Sequence, residues 1–290
     1  MTHATGFLEG AGGRRIFWQT WSPEREPEAV IVLVHGASEH SDRYRHVASA
    51  LVEDGYAVYA LDHRGHGRSE GARAVIDSLD NAVADLHQLV LEARERHRDL
   101  LVYMLGHSMG GTVALAYAIE HQDVLAGLIL SGALAALQAA PLPLRLAGRL
   151  LSAVAPSFPL VAIDASLVSR DPDVVDRYVS DPLVHHGKLP ARTVAELTAA
   201  IERFPAAVAA ITIPTLILYG TADGLCPPAG SQMLARRIGA ADKTLKAYDG
   251  LYHEILNEPE RDQVLADIRG WLSQRVGTGT APRSNRQPVK

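Results

Sequence analysis

Short apolar runs alternate with longer amphipathic stretches along most of the chain. The runs that we predict as strands are 29–34, 57–61, 100–105, 125–130, 215–219 and 244–248. The stretches with helical spacing are 42–53, 79–97, 111–121, 229–238 and 258–275. Strands that alternate with helices are typical of parallel βαβ units, in which helices cover both faces of the sheet. The pattern therefore predicts an α/β fold with a mostly parallel central sheet.

Residues 133–210 interrupt this alternation. They are rich in alanine, leucine and proline, with helical spacing and no clear strand. We interpret them as a helical cap inserted over the sheet. The predicted organisation is a first part of the core at 1–132, the cap at 133–210, a second part of the core at 211–275 and a disordered tail at 276–290. The tail has almost no apolar side chains.

Composition narrows the class of protein. The chain has 290 residues, of which 47% are hydrophobic, which is enough for one large core. A net charge of -5 offers no electrostatic attraction for nucleic acid. The single cysteine, Cys226, cannot form an internal disulfide. The first residues lack a signal-peptide pattern, and the longest apolar run, 124–137, is shorter than a bilayer requires. We expect a cytoplasmic protein.

The clearest chemical motif follows the run at 100–105. Residues 106–110 read GHSMG, which matches G-x-S-x-G, and a predicted helix comes directly after them. A serine on a sharp turn from a strand to a helix is the nucleophile elbow of the α/β-hydrolase fold, and the turn requires small residues on both sides. Gly106 and Gly110 meet that requirement. Ser108 is the predicted nucleophile.

A serine hydroxyl needs a neighbouring base, and in this fold the order along the chain is serine, acid, histidine. His253 is the one histidine beyond the last good acid candidate, and it lies in a loop before the final predicted helix. Asp223 comes just after the run at 215–219, at the carboxyl edge where catalytic residues concentrate. Asp249 and Asp242 are alternative acids. We predict that Asp223 orients His253.

Acyl transfer also needs two N–H donors for the oxyanion. One comes from the residue after the nucleophile, Met109, and the other from the loop after an earlier strand, where Ala37 is the natural donor. His35 is predicted to shape that loop rather than to catalyse.

His63 and His66 resemble a metal cluster, but no further ligand pair has suitable spacing, so we predict no metal site.

Six segments together indicate a family. They are HGASEHSDRY at 35–44, LDHRGHGRSEG at 61–71, GHSMGG at 106–111, SDPLVHHG at 180–187, GTADGLCPP at 220–228 and YHEILNEPER at 252–261. With them the chain resembles the monoacylglycerol lipases, a group within the lysophospholipase-like α/β-hydrolases, over about residues 5–275. Ser38 is a departure, because glycine is commoner there.

The resemblance implies hydrolysis of monoacylglycerols to glycerol and fatty acid by the residues named above, beneath a cap and without a cofactor. It also implies glycerol contacts from the Ala37 backbone, Glu39, Arg43 and Tyr178. Alternative activities are those of a lysophospholipase or a general short-chain carboxylesterase. A non-catalytic ligand-binding protein would have no need of the intact Ser108, Asp223 and His253.

The predicted cap is apolar enough to bind the acyl chain of a substrate. Its apolar residues are Leu142, Leu144, Leu146, Leu150, Leu151, Val154, Phe158, Leu160, Val161 and Ile163. These side chains could line an acyl tunnel, form the core of the cap itself, or do both. A face of this kind also predicts transient contact with a membrane or micelle surface.

Overall fold

A computed structural model describes residues 1–137 and 142–277, with the side chains of all of these except 142–146. Its strands are β1 Thr2–Glu9, β2 Arg15–Ser22, β3 Ala29–Val34, β4 Tyr56–Leu61, β5 Val102–His107, β6 Gly127–Ser131, β7 Pro159–Val161, β8 Leu189–Pro190, β9 Thr215–Gly220 and β10 Lys243–Tyr248. Its helices are α1 Arg45–Glu53, α2 Leu79–Arg96, α3 Met109–His121, α4 Leu142–Val154, α5 Pro172–Ser180, α6 Ala191–Ala207, α7 Pro228–Arg237 and α8 Arg261–Val276.

Eight of the strands form one twisted sheet in the order β1-β2-β4-β3-β5-β6-β9-β10. Six neighbouring strands of this sheet pair in parallel: β4, β3, β5, β6, β9 and β10. Strands β1 and β2 are antiparallel additions at one edge. Strand β3 illustrates why both faces are covered. Val30, Val32 and Val34 pack in a core with α2 and α3, while Ile31 and Leu33 pack on the opposite face with α1 and α8. The predicted fold class is therefore confirmed.

The predicted strands and helices of the core all occur, with ends displaced by at most three residues. The N-terminal hairpin of β1 and β2 was not predicted. Strand β1 is mostly exposed and has no apolar run, and its ladder with β2 stabilises it through backbone hydrogen bonds that side-chain patterning does not reveal. Most of the predicted tail, residues 278–290, lies outside the described residues.

The insertion lies between β6 and β9, which are neighbours in the sheet. It contains α4, α5 and α6, as expected, but the expectation of no strand was wrong. The short strands β7 and β8 form an antiparallel pair in which Pro159 faces Pro190. Proline lacks a backbone N–H and is therefore confined to isolated or edge pairings of this kind. Because proline usually indicates a loop, the sequence pattern did not indicate these two strands.

Polar contacts hold the insertion against the loops at the carboxyl edge of the sheet. The His40 Nε2 atom lies 2.9 Å from the Asp181 carboxylate, and the His185 N–H donates to the Ser38 carbonyl at 2.7 Å. The Glu254 N–H donates to the Val168 carbonyl at 2.8 Å. The insertion therefore lies over this edge of the sheet.

Candidate active site

Ser108 stands on a strained turn between β5 and α3. Its φ of 55° and ψ of -121° lie in a region that residues other than glycine rarely adopt. A Cβ atom on Gly110 would come within 2.1 Å of the Val34 carbonyl oxygen, and one on Gly106 within 2.6 Å of the Gly110 carbonyl oxygen. The two glycines thus let the strand, the turn and the helix approach closely, as the nucleophile elbow requires.

His253 and Asp223 form a buried hydrogen-bonded pair. The His253 Nδ1 atom lies 2.8 Å from Asp223 Oδ2, and both side chains are almost fully buried. The other carboxylate oxygen, Oδ1, accepts the backbone N–H groups of Leu225 and Cys226 at 2.9 and 2.8 Å. Burial by itself lowers the pKa of His253, but the adjacent Cys226 sulfur and Asp223 carboxylate outweigh burial and raise it.

The rival acids lie elsewhere. Asp249 is exposed and accepts the Thr221 hydroxyl at 3.1 Å, while Asp242 pairs with Arg275. Neither carboxylate has a contact with His253 among the hydrogen bonds of the described residues.

Cys226, the single cysteine of the chain, lies beside the serine. Its Sγ atom lies 3.8 Å from the Ser108 hydroxyl oxygen. The ligand atoms of Asp223, Cys226 and His253 lie within 4.8 Å of one another, the one group of three among the described residues that could hold a metal. A metal ion there would displace the Asp223–His253 hydrogen bond, and Oδ1 already accepts two N–H groups. The donor set therefore fits an acid–base pair better than a metal site.

The loop after β3, in which Ala37 is the predicted oxyanion donor, contains a residue with a left-handed backbone conformation. Ala37 lines the cavity above Ser108, and Met109 begins α3, where first-turn N–H groups have no acceptor within the helix. Ser38 has a φ of 67°, in the left-handed region. Glycine adopts this conformation without strain, which explains why glycine is commoner than serine at this position in the family that the chain resembles.

Two of the predicted glycerol-binding residues belong to a buried ionic cluster. Glu39 Oε1 accepts the Gly36 N–H and the Tyr44 hydroxyl, each at 2.5 Å, and its Oε2 accepts Arg43. Arg43 also binds both carboxylate oxygens of Glu254, at 2.7 and 2.8 Å. Burial raises the pKa of Glu39, whereas Arg43 overcomes burial to lower the pKa of Glu254 to about 2.

A cavity of about 190 Å³ opens above Ser108. Its polar lining includes His253, Glu39, Glu254 and Tyr178. Its apolar lining comes mostly from the insertion and the loops beside it: Leu134, Leu137, Val161, Ala162, Ile163, Val168, Leu189, Val194, Leu197 and Leu225. Arg43 is absent from the lining formed by the described residues and lies behind Glu39, with its Cζ atom 4.8 Å from the centre of the Tyr178 ring.

The predicted apolar residues of the insertion divide into groups. Val161 and Ile163 line the cavity, while Leu150, Val154, Phe158, Leu160 and also Val161 are exposed. The side chains of Leu142, Leu144 and Leu146 lie outside the described residues.

The histidines of the neighbouring loops are buried and packed together. His35 accepts the His63 N–H at its Nε2 atom, at 2.9 Å, and the two rings meet edge to face. Burial lowers the pKa of His63 to about 3 and that of His66 to about 4. These rings remain neutral at ordinary pH, in keeping with the structural role predicted for His35.

The sequence reasoning missed two residues beside His253. Glu254 follows it directly in the segment YHEILNEPER, so that motif held a signal, but the partner Arg43 is 211 residues away in the chain. His107 lies within GHSMG, and its ring centre is 4.7 Å from that of His253.

The parallel sheet with its strained serine turn defines an α/β-hydrolase. Residues 25–260 match the family described as serine aminopeptidase, S33. The chain is 43% identical over 272 residues to a monoacylglycerol lipase of Mycolicibacterium smegmatis, covering 93% of this chain and 97% of the relative. It is 39% identical to human monoglyceride lipase, covering 94% of this chain and 92% of that one. The chain therefore belongs to the monoacylglycerol lipase family.

Solved structures agree with this assignment. The crystal structure of Paleococcus ferrophilus monoacylglycerol lipase superposes with a TM-score of 0.81 at 32% identity, covering 90% of this chain and 99% of that one. No helix among the described residues is both long and apolar enough to cross a membrane.

Proposed function

We propose that the protein hydrolyses monoacylglycerols to glycerol and a fatty acid through an acyl-enzyme on Ser108. The observation that carries this proposal is the cavity, which joins an apolar wall to a polar end directly above the serine. An amphipathic ester fits such a cavity, because its chain meets the apolar wall while its head group meets Glu39 and Tyr178. The relatives named above support the same substrate class.

In the proposed mechanism Ser108 Oγ attacks the ester carbonyl carbon while the His253 imidazole takes the hydroxyl proton. The carbonyl oxygen becomes negatively charged and accepts the N–H groups of Ala37 and Met109. The bond to glycerol then breaks, and His253 gives its proton to the departing glycerol oxygen. Water attacks the acyl-enzyme with its proton passing to His253, and Ser108 regains a proton as the fatty acid leaves. Asp223 stabilises the imidazolium.

We propose that residues 133–210 act as the cap and supply most of the acyl site. Val161, Ile163, Val194 and Leu197 contribute apolar side chains to the cavity from two separate segments of the insertion. Each buried methylene of a substrate is worth about 0.8 kcal/mol. A long chain would gain several times that amount from this wall, and an acetyl group almost none.

The outer face of the cap supports contact with a lipid surface. Leu150 and Val154 are 66% and 72% exposed, and Phe158, Leu160 and Val161 are exposed nearby in the chain. We infer that this apolar face docks on membranes or micelles, from which the substrate enters the cavity. Leu150→Glu should reduce flotation with phosphatidylcholine vesicles while leaving p-nitrophenyl acetate hydrolysis unchanged. Equal flotation of both proteins would reject this contact.

A substrate panel tests the central proposal. Mono-, di- and triacylglycerols, lysophosphatidylcholine and p-nitrophenyl esters of matched chain length should be compared by kcat/KM. Monoacylglycerol should be preferred, because the higher glycerides lack hydroxyls that the polar end can bind and add bulk. Equal turnover of triacylglycerol would indicate a broad lipase, and preference for lysophosphatidylcholine a lysophospholipase.

The nucleophile is tested in the same assay. Ser108→Ala should lower kcat about a thousandfold or more without loss of fold. Ser166→Ala, an exposed serine of the insertion, is the matched control and should behave as wild type. Retention of more than about a tenth of the activity by Ser108→Ala would reject the mechanism.

A further inference from the structure

Glu254 is nearly inaccessible and binds three different parts of the molecule. Its carboxylate holds Arg43 through two hydrogen bonds and accepts the Asn257 side-chain amide at 2.8 Å. Its backbone N–H donates to the Val168 carbonyl in the insertion. A glutamate that is only 5% exposed loses its hydration, and these contacts replace it. The position directly after His253 makes this arrangement relevant to the base.

From Arg43 the contacts continue into the oxyanion loop. The guanidinium shares its Nη1 atom between Glu254 and Glu39. Glu39 in turn accepts the N–H of Gly36, the residue before Ala37, at 2.5 Å. A continuous chain of charged hydrogen bonds thus runs from the residue after His253 to the residue before Ala37. Bidentate arginine–carboxylate contacts impose orientation as well as attraction.

We propose that Glu254 is a positioning residue, which holds the His253 loop and the oxyanion loop in register through Arg43 and Glu39. The loops come from distant parts of the chain, and Ser108 reacts only when the base and the oxyanion donors are both correctly placed around it. A misplacement of about 1 Å can cost about a hundredfold in rate. This role rests on the proposed Ser108 mechanism and does not depend on which ester is the substrate.

The charge balance of the cluster favours a positioning role for Glu254 over a role in stability alone. Two carboxylates share one guanidinium, so Arg43 is neutralised by either of them. Removing the charge of Glu254 leaves the Arg43–Glu39 pair balanced, and we therefore expect the variant to fold. What is lost is the link to His253. Replacing a shared partner in this way avoids the unpaired buried charge that makes most such substitutions severe.

The test uses the full chain and a reaction that needs no identified substrate. A fluorophosphonate labels an activated serine, and its rate depends on the same base and oxyanion donors. Glu254→Gln should lower the second-order labelling rate and the kcat for p-nitrophenyl acetate about tenfold or more, with KM within twofold of wild type. Glu254→Asp retains the charge but is one methylene shorter than the contact with Arg43 requires, so it should also be slower.

The matched control is Glu258→Gln. Glu258 is a fully buried glutamate four residues further along the same loop, and it pairs with Arg170 rather than with the oxyanion loop. This variant should lose thermal stability without a change in labelling rate at temperatures well below its Tm. Equal slowing in Glu258→Gln and Glu254→Gln would mean that the loop is merely loosened, and would overturn the positioning role.

A double-mutant cycle with Arg43→Lys isolates the link. Lysine cannot make the bidentate contact. If Glu254 acts through Arg43, the double variant should be no slower than the slower single variant, whereas independent effects would multiply and overturn the proposal. Wild-type labelling rates in both Glu254 variants would also overturn it. A wild-type protein that is not labelled at Ser108 would instead reject the proposed mechanism, and this inference with it.

Discussion

The Nδ1 atom of His253 lies 2.8 Å from Oδ2 of Asp223, although 30 residues separate the two in the chain. This contact directs the opposite ring nitrogen, Nε2, away from Asp223. It also combines a buried imidazole with a buried carboxylate, so that the charged form of the ring has a partner where water is excluded. The relationship leads to a prediction about pH as well as about rate.

Asp223→Asn should lower kcat by about 10²–10⁴, because the ring loses its orienting acceptor. The carboxylate raises the pKa of His253, so its removal should lower that pKa and move the acid limb of the kcat/KM profile to lower pH. Measurement of p-nitrophenyl acetate hydrolysis against pH checks both effects. The exposed Asp249→Asn is the control and should match wild type. If Asp249→Asn gave the large loss instead, Asp223 would not be the acid.

Cys226→Ala should retain kcat within about threefold of wild type. The thiol lies 3.8 Å from the Ser108 hydroxyl, but the strained turn presents the serine, and nothing in the proposed mechanism requires the sulfur. Mass spectrometry after fluorophosphonate labelling should find the adduct on Ser108 in both proteins. An adduct on Cys226, or loss of labelling in Cys226→Ala, would contradict this assignment.

Ile163→Asp should reduce the long-chain to short-chain ratio of kcat/KM at least about tenfold, since it places a charge in the apolar wall of the cavity. Leu150→Glu is the matched control, because Leu150 is 66% exposed and absent from that wall among the described residues. The substrates should be monomeric, below their critical micelle concentrations, so that surface binding does not contribute. If a folded Ile163→Asp protein kept its long-chain to short-chain ratio of kcat/KM within twofold of wild type, the cavity would not be the acyl site.

Ser38→Gly should stabilise the protein. Serine at a φ of 67° is strained by about 1–3 kcal/mol, while glycine adds about 0.5–1 kcal/mol of entropy to the unfolded chain. The net gain of about 1 kcal/mol corresponds to about 2 °C in Tm for a chain of this length, because the unfolding entropy grows with the number of residues. Ser49→Gly, within α1, should lower Tm because glycine is unfavourable in a helix. Calorimetry that found both variants destabilised would show that Ser38 is not strained.

His66 should make the folded state less stable in acid. Its pKa is about 4 when folded and about 6.5 when unfolded, so the unfolded chain binds the extra proton between these values. Its contribution to stability is therefore lost as pH falls from about 6.5 to about 4. His66→Gln should reduce the slope of unfolding free energy against pH by up to about 1.4 kcal/mol per pH unit in that window. Urea titrations that found an unchanged slope would refute this.

The sequence by itself determined the features that depend on local pattern. Strands buried on both faces must be apolar throughout, so the run at 29–34 indicated β3 and the α/β class. The turn around Ser108 could be predicted equally well, because only small residues fit where β5, the turn and α3 pack closely together. The segments that resemble the monoacylglycerol lipases added the family, which the comparisons confirmed.

Tertiary structure alone decided which distant polar groups meet. Asp223 and Asp249 both follow strands, and their different surroundings emerge only once β9 and β10 are paired in register. Arg43 was expected at the glycerol, yet the packed loops bring it between Glu39 and Glu254. Buried charges take the partners that the packed fold brings within reach, and hydrophobic patterning along the chain carries no information about those partners.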